Sequence, residues 1–149
     1  MAKVETVDLR KHESFIPQYV DLRNTYKDLL VTTPVTITET KEWLLNKDVE
    51  VRCLVKNNIL IGAAILYLNK KGEIAFFVKE QKGGIGSQLL DIIEKVARER
   101  SLDSVWAWVL SSNVDAQKVF IKNGFFLEKE GKKKYNNKTL KGIVFRKMV

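Results

Sequence analysis

The stretch from Val49 to Lys79 constrains the fold most. Three apolar, β-branched runs, Val49 to Lys56, Ile59 to Leu68 and Glu73 to Lys79, are separated only by Asn57-Asn58 and by Asn69 to Gly72. Connections this short join antiparallel strands, because a parallel pair needs a crossover of about a dozen residues or more. Just downstream, Ile85, Leu89, Ile92, Ile93 and Val96 recur at helical spacing, with Gln88, Asp91, Lys95 and Arg98 opposite. Such a stripe is an amphipathic helix that covers one face of a sheet. Val105 to Leu110 follows as a strand, so the helix makes a βαβ crossover. Three hairpin-linked strands followed by βαβ imply a mixed sheet with helices on both faces.

The remaining elements complete this plan. Lys3 to Leu9 reads as a first strand, and Ser14 as the N-cap of a helix carrying Phe15, Tyr19, Leu22, Tyr26 and Leu29. Thr32 to Thr38 reads as a loop, and Thr38-Glu39-Thr40 opens a short helix with Trp43 and Leu44. Val114 to Asn123 is a helix ended by Gly124, and Phe125 to Lys134 pairs with Thr139 to Met148 around Asn136-Asn137. The expectation is one α/β (α+β) domain over residues 1 to 149, with a mostly antiparallel sheet of seven strands.

Composition narrows the function classes. A chain of 149 residues with 45% apolar and 30% charged residues has the balance of a globular domain rather than a disordered one. The longest uncharged apolar run, Ile59 to Leu68, is far too short to span a bilayer, and Met1 to Glu13 has no apolar leader. Cys53 and His12 are the sole residues of their types, too few for a zinc site, so no metal and a cytoplasmic location are expected. Of the net charge of +8, the segment Glu128 to Val149 carries most, with eight basic residues against two acids. Such a segment is either a solvated strand pair or a surface for polyanions. The basic residues are 20 Lys and 6 Arg, with no aromatic RNA-binding pattern, which argues against nucleic acid.

Gln81-Lys82-Gly83-Gly84-Ile85-Gly86-Ser87 lies between a strand and the amphipathic helix. Glycines let backbone N–H groups turn inward, and a helix N-terminus adds unpaired donors and a partial positive charge. Together they suit a pyrophosphate; the plainer reading is a turn that starts a helix. It is not a P-loop, since no Lys-Ser or Lys-Thr follows the glycines. Nor is it a dinucleotide fingerprint, because Leu89 stands where a third glycine is required.

Gln81-x-x-Gly84-x-Gly86 resembles the acetyl-CoA loop of the GCN5-related N-acetyltransferase (GNAT) family. Asn113-x-x-Ala116-x-x-x-Phe120-x-x-x-Gly124-Phe125 is similar to the family's second signature, and Glu73-Ile74-x-Phe76-x-Val78 to its central strand. The order of elements matches over nearly the whole chain, with the motifs between residues 73 and 126. The resemblance implies a transferase that moves an acetyl group from acetyl-CoA to a primary amine by direct attack in a ternary complex. The acceptor would be a small molecule, an amino sugar or a peptide amine, and a homodimer is possible within the family. The alternative is an acyl-CoA sensor or nucleic-acid-binding module on the same fold.

Carried over residue by residue, the backbone of Gln81, Lys82, Gly83, Gly84, Ile85, Gly86 and Ser87 would hold the pyrophosphate, with Lys82 adding charge. The pantetheine arm would lie along Phe76, Phe77 and Val78, where this strand parts from Val105 to Leu110. Asn113, Ala116 and Phe120 would close the other side. Amide formation needs an acceptor for the amine proton, and Glu73 is the candidate, directly or through water; the plain reading is a polar residue after the Gly72 turn. The sequence departs from the family at Phe120, where a tyrosine usually protonates the leaving thiolate; Tyr135 and Ser87 are the candidate substitutes. Arg23 and Tyr26 fall where the family binds its acceptor, Arg23 pairing with a phosphate or carboxylate or standing as a surface charge. Trp106 and Trp108 share a strand face and are expected in the core, as is Cys53.

Overall fold

The computed structural model describes residues 3–80 and 83–149. β1 (Val4–Asp8) leads through short 3-10 turns into α1 (Ile16–Thr25), α2 (Lys27–Leu30) and α3 (Ile37–Trp43). β2 (Val49–Lys56), β3 (Ile59–Tyr67) and β4 (Glu73–Val78) follow, then α4 (Ile85–Glu99), β5 (Ser104–Leu110), α5 (Val114–Lys122), β6 (Phe126–Tyr135) and β7 (Lys138–Met148). The seven strands form one sheet in the order β1-β2-β3-β4-β5-β7-β6. All neighbours are antiparallel except β4 and β5. The expected mixed, mostly antiparallel sheet is therefore present. Asn57-Asn58 and Asn136-Asn137 all have positive φ, the conformation a two-residue hairpin turn demands.

Two cores lie on opposite faces of the sheet. α4 and α5 cover one face, where Leu89, Leu90 and Ile93 are fully buried against Leu66, Ile74 and Phe145. Each such side chain contributes about 1.5–3 kcal/mol by burial, so docking of α4 follows from its stripe rather than from the loop before it. α1 and α3 cover β2 to β4 on the other face, around Ile16, Tyr19, Ile65 and Phe77. Cys53 is buried here, and burial pushes its thiol up to about 12, which leaves it inert.

The N-terminal helices differ from the sequence expectation. Ser14 caps nothing; α1 begins at Ile16 with Pro17 in its first turn. The helix breaks at Tyr26, whose N–H is shared among the carbonyls of Leu22, Arg23 and Asn24, and α2 ends at Val31 in the left-handed region. α3 opens at Thr36 rather than Thr38, because Thr36 and Glu39 form a reciprocal capping box. Trp106 and Trp108 are half-buried and not in the core: the alternation of β5 turns Val105, Ala107 and Val109 under α4 and α5, and the tryptophans to the other face.

An ionic network fixes the first strand against this layer. Arg10 donates to Glu50 at 3.2 Å and to the carbonyls of Asn46 and Val49, while Arg52 and Arg100 also reach Glu50. Burial opposes the Glu50 charge, but Arg52, Arg10 and Arg100 outweigh it and hold the carboxyl below the usual range. A carboxyl depressed in the folded state stabilises above its unfolded pKa and loses that contribution as pH falls through the folded value. Urea denaturation from about pH 7 to pH 3 should show wild-type stability falling in acid, with a shallower fall in Glu50→Gln. Parallel acid limbs in the two proteins would refute this role.

Candidate active site

The site begins at the one place where the sheet opens. β4 and β5 share a single pair, Glu73 with Trp106, with the Trp106 N–H donating to the Gly72 carbonyl. Beyond it the strands part. β4 remains fully paired to β3 from Glu73 through Val78. Since Gly72 faces β5 and Lys79 donates to Ile61 of β3, the alternation turns the N–H and C=O groups of Phe76 and Val78 toward the opening. These groups are donors and acceptors that an extended ligand could take up in place of a strand.

Two cavities lie along the opening. One of about 160 Å³ is lined by Tyr67, Lys70, Glu73, Phe76, Trp108 and Lys133, among others. A narrower one is lined by Tyr26, Phe76, Val78, Asn113 and Ala116, so Tyr26 stands over the slot from the junction of α1 and α2. Asn113 caps α5 by accepting from the Ala116 N–H at 3.3 Å. Val78 and Phe77 turn their side chains away, into the α4 core and the α1 core respectively, and Phe77 packs on Tyr19 at 5.6 Å. The backbone of Val78 and both parts of Phe76 address the slot, and Phe77 also lines its narrower cavity.

The glycine loop stands at its mouth. Gly83 and Gly84 have φ of 75° and 68°, and Gly84 is the N-cap of α4 with no side-chain cap. The first N–H groups of that helix are thus left for solvent or an anion. Gly86 serves packing: a Cβ there would lie 3.1 Å from Phe76 and 3.2 Å from Val119. Ile85 is half-buried against the α4 core. The Ser87 hydroxyl accepts from Asn123 at 2.9 Å. Gln81 and Lys82 lie outside the described residues.

Glu73 is 8% exposed and lies directly across from Tyr67 in the β3–β4 ladder. Lys133 Nζ approaches it at 3.5 Å and Lys70 Nζ at 3.9 Å. Lys133 also lies over Trp108, 4.8 Å from the ring centroid, and Lys70 over Tyr67 at 4.6 Å. Burial raises the Tyr67 phenol above its usual value; Arg23 opposes this and Glu73 adds to it, so the hydroxyl keeps its proton near neutrality. Tyr67, Lys70 and Lys133 were not singled out from sequence, and Trp108 was expected in the core rather than at this site. Tyr67 was within reach of that reading: the tight Asn69 to Gly72 turn brings it opposite Glu73. Lys133 arrives from β6 and had no local signal.

Arg23 is not a surface charge. It is half-buried, its guanidinium lies 5.2 Å over Trp43, and its Nη1 donates to the Tyr19 hydroxyl at 3.0 Å. Tyr135 reaches the same layer from the hairpin tip, its hydroxyl 3.1 Å from Asp28 Oδ1 and 3.0 Å from the Thr32 carbonyl. Phe120 is 2% exposed and packs on Phe76, Phe125 and Phe145 with centroids at 5.3, 5.0 and 5.8 Å. Among the described residues, no group of three or more His, Cys, Asp or Glu side chains could hold a metal ion, and no helix is long and apolar enough to cross a membrane.

A half-parted sheet with a bare helix N-terminus at its mouth is an architecture open to an extended, anionic ligand, and comparison gives it a family. The model of the acetyltransferase (GNAT) family matches residues 15–125, and the chain belongs to that family. Ribosomal-protein-alanine N-acetyltransferase from Brucella melitensis superposes with a TM-score of 0.83 at 19% identity, covering 99% of each chain. yncA from Salmonella typhimurium, solved with its cofactor acetyl-CoA, gives 0.84 at 14% identity, covering 99% of this chain and 93% of that one. A Salmonella typhimurium acetyltransferase that modifies the N-terminal serine of ribosomal protein L7/L12 gives 0.78 at 17%, covering 98% and 95%. No curated protein matches the chain.

Because Phe120 joins the slot wall to the core, Phe120→Ala should lower unfolding free energy by about 3–5 kcal/mol. Denaturant titration checks this; a loss below about 1 kcal/mol would mean that the ring is not packed as described.

Proposed function

We propose that residues 1–149 form one acetyltransferase domain, which moves an acetyl group from acetyl-CoA to a primary amine in a ternary complex in the cytoplasm. The observation that carries this reading is the slot between β4 and β5, open beside a buried carboxylate and faced by unpaired backbone groups. The acetyl-CoA seen in yncA supports the choice of donor. The α4 N-terminus with Gly83 and Gly84 would bind the pyrophosphate, with Gln81 and Lys82 in the same loop, and Phe76 and Val78 would pair with the pantetheine arm. Asn113 and Ala116 line the opposite wall.

Glu73 accepts the proton of the attacking amine, directly or through water, which leaves the nitrogen lone pair free for the thioester carbonyl. The slot-facing N–H groups of Phe76 and Val78 stabilise the oxyanion that develops there. Phe120 has no proton to offer the departing thiolate. A thiol of pKa about 8.5 leaves tolerably without help, and Tyr67 is the phenol that lines the cavity with Glu73. Ser87 and Tyr135 are committed to Asn123 and to Asp28 and Thr32. The acceptor is a small amine, an amino sugar or a peptide amine, approaching on the Glu73 face past Tyr26 and Arg23.

Acetyl-CoA at a hundredfold excess over its Kd should add about 2.7 kcal/mol to stability. Gly84→Glu should abolish that gain by setting a carboxylate against the pyrophosphate. Gly84→Asn, which tolerates the left-handed backbone, should retain it. A gain of equal size in Gly84→Glu would overturn the loop assignment. Glu73→Gln should lower kcat by about 10² or more with acetyl-CoA affinity unchanged; unaltered turnover would place the base elsewhere.

A further inference from the structure

We infer that the acceptor amine carries a carboxylate, and that Arg23, with Lys70 and Lys133, selects for it. This rests on the acetyltransfer reading and narrows its acceptor. Around the reacting centre one carboxylate, Glu73, faces two ammonium groups at 3.5 and 3.9 Å. Arg23 adds a third cation, stacked on Trp43, whose ring lies 6.2 Å from that of Tyr67, the residue directly across from Glu73. Among the described residues Arg23 makes no ion pair. Its Nη1 meets a neutral phenol, and its Nε is buried with no hydrogen-bond partner. A half-buried guanidinium without an anion is costly, because desolvation is not offset by a charge partner.

The geometry gives that cation a ligand-sized approach. Arg23 lines a cavity of about 550 Å³ with Val35, Thr40, Trp43 and Asn46. Glu39 and Glu42 also line it, but both are exposed, and Glu39 is engaged in capping α3. Trp43 holds the guanidinium plane from one side and the Tyr19 hydroxyl fixes one nitrogen. A guanidinium held in this way suits a carboxylate, which accepts charge-assisted hydrogen bonds from it. The amine of such an acceptor would sit at Glu73 while its carboxylate meets the surrounding cations. A polyamine would bring further positive charge into the Glu73 cavity, where Lys70 and Lys133 already outnumber the one carboxylate, which costs binding.

The test is CoA release from the full chain with saturating acetyl-CoA and matched acceptors: the common amino acids, their C-terminal amides, and spermidine. We expect kcat/KM for the best amino acid to exceed that of its amide by about tenfold or more. Arg23→Gln should bring that ratio towards one, mainly through KM, and Arg23→Lys should restore part of it. Acetyl-CoA stabilisation should be the same in all three proteins. An amide or spermidine used as well as the acid overturns the inference, as does an unchanged ratio in Arg23→Gln. If Arg23→Gln does not fold, the wild-type comparison of acid and amide decides alone, and Lys133→Gln supplies the second variant. Acetyl-CoA binding with no acceptor of the panel consumed also counts against it. Absence of acetyl-CoA stabilisation in the wild-type chain instead removes the acetyltransfer reading beneath it.

Discussion

The structure turns on a single backbone pairing. β4 and β5 meet at Glu73 and Trp106 and nowhere beyond, although both strands continue. Each is fully paired on its outer side, β4 to β3 and β5 to β7, so the sheet holds its shape while its middle stays open. Side chains of two cores pack on either face of the parted strands: Phe76 and Phe120 on the α4–α5 face, and Phe77 with Tyr19 on the other. An edge left unpaired inside a sheet would ordinarily be a liability. Here helices cover it on both faces, and only a narrow, ligand-sized slot remains.

Much of this was legible in the chain. The short turns of Val49 to Lys79 dictated antiparallel strands, and the α4 stripe dictated a crossover, so the one parallel contact follows from connection length alone. The glycine loop was recognisable because positive φ and a bare helix end both require glycine there. Local signals that compete were harder to read. Ser14 and Thr38 are plausible caps in isolation; the neighbouring turns and the Thr36–Glu39 box decide otherwise. The break at Tyr26 has no proline or glycine to announce it.

What stayed hidden is tertiary. Lys133 sits 60 residues from Glu73 and meets it because β6 folds back beside β7. Trp108 looked like a core residue by composition. Its strand alternation was readable, but which face would be covered by α4 and α5 was not. Trp108 instead lies against Gly131 and Gly142 and carries Lys133 over its ring. Arg23 reads as a helix-surface charge until Tyr19, Trp43 and Tyr67 are seen to enclose it. Arginine–aromatic stacking leaves no mark on local sequence.

The bond from Tyr135 to Asp28 and Thr32 ties the tip of the last hairpin to the second helix, across more than 100 residues of chain. That wall of the cleft is thus closed by a hairpin held along β5 and again near its tip, with Asn136 and Asn137 as its corner. Lengthening or shortening that corner would redraw this wall of the cleft and leave the glycine-loop end untouched. The two ends of the cleft can therefore vary separately, one holding its shape while the other is rebuilt.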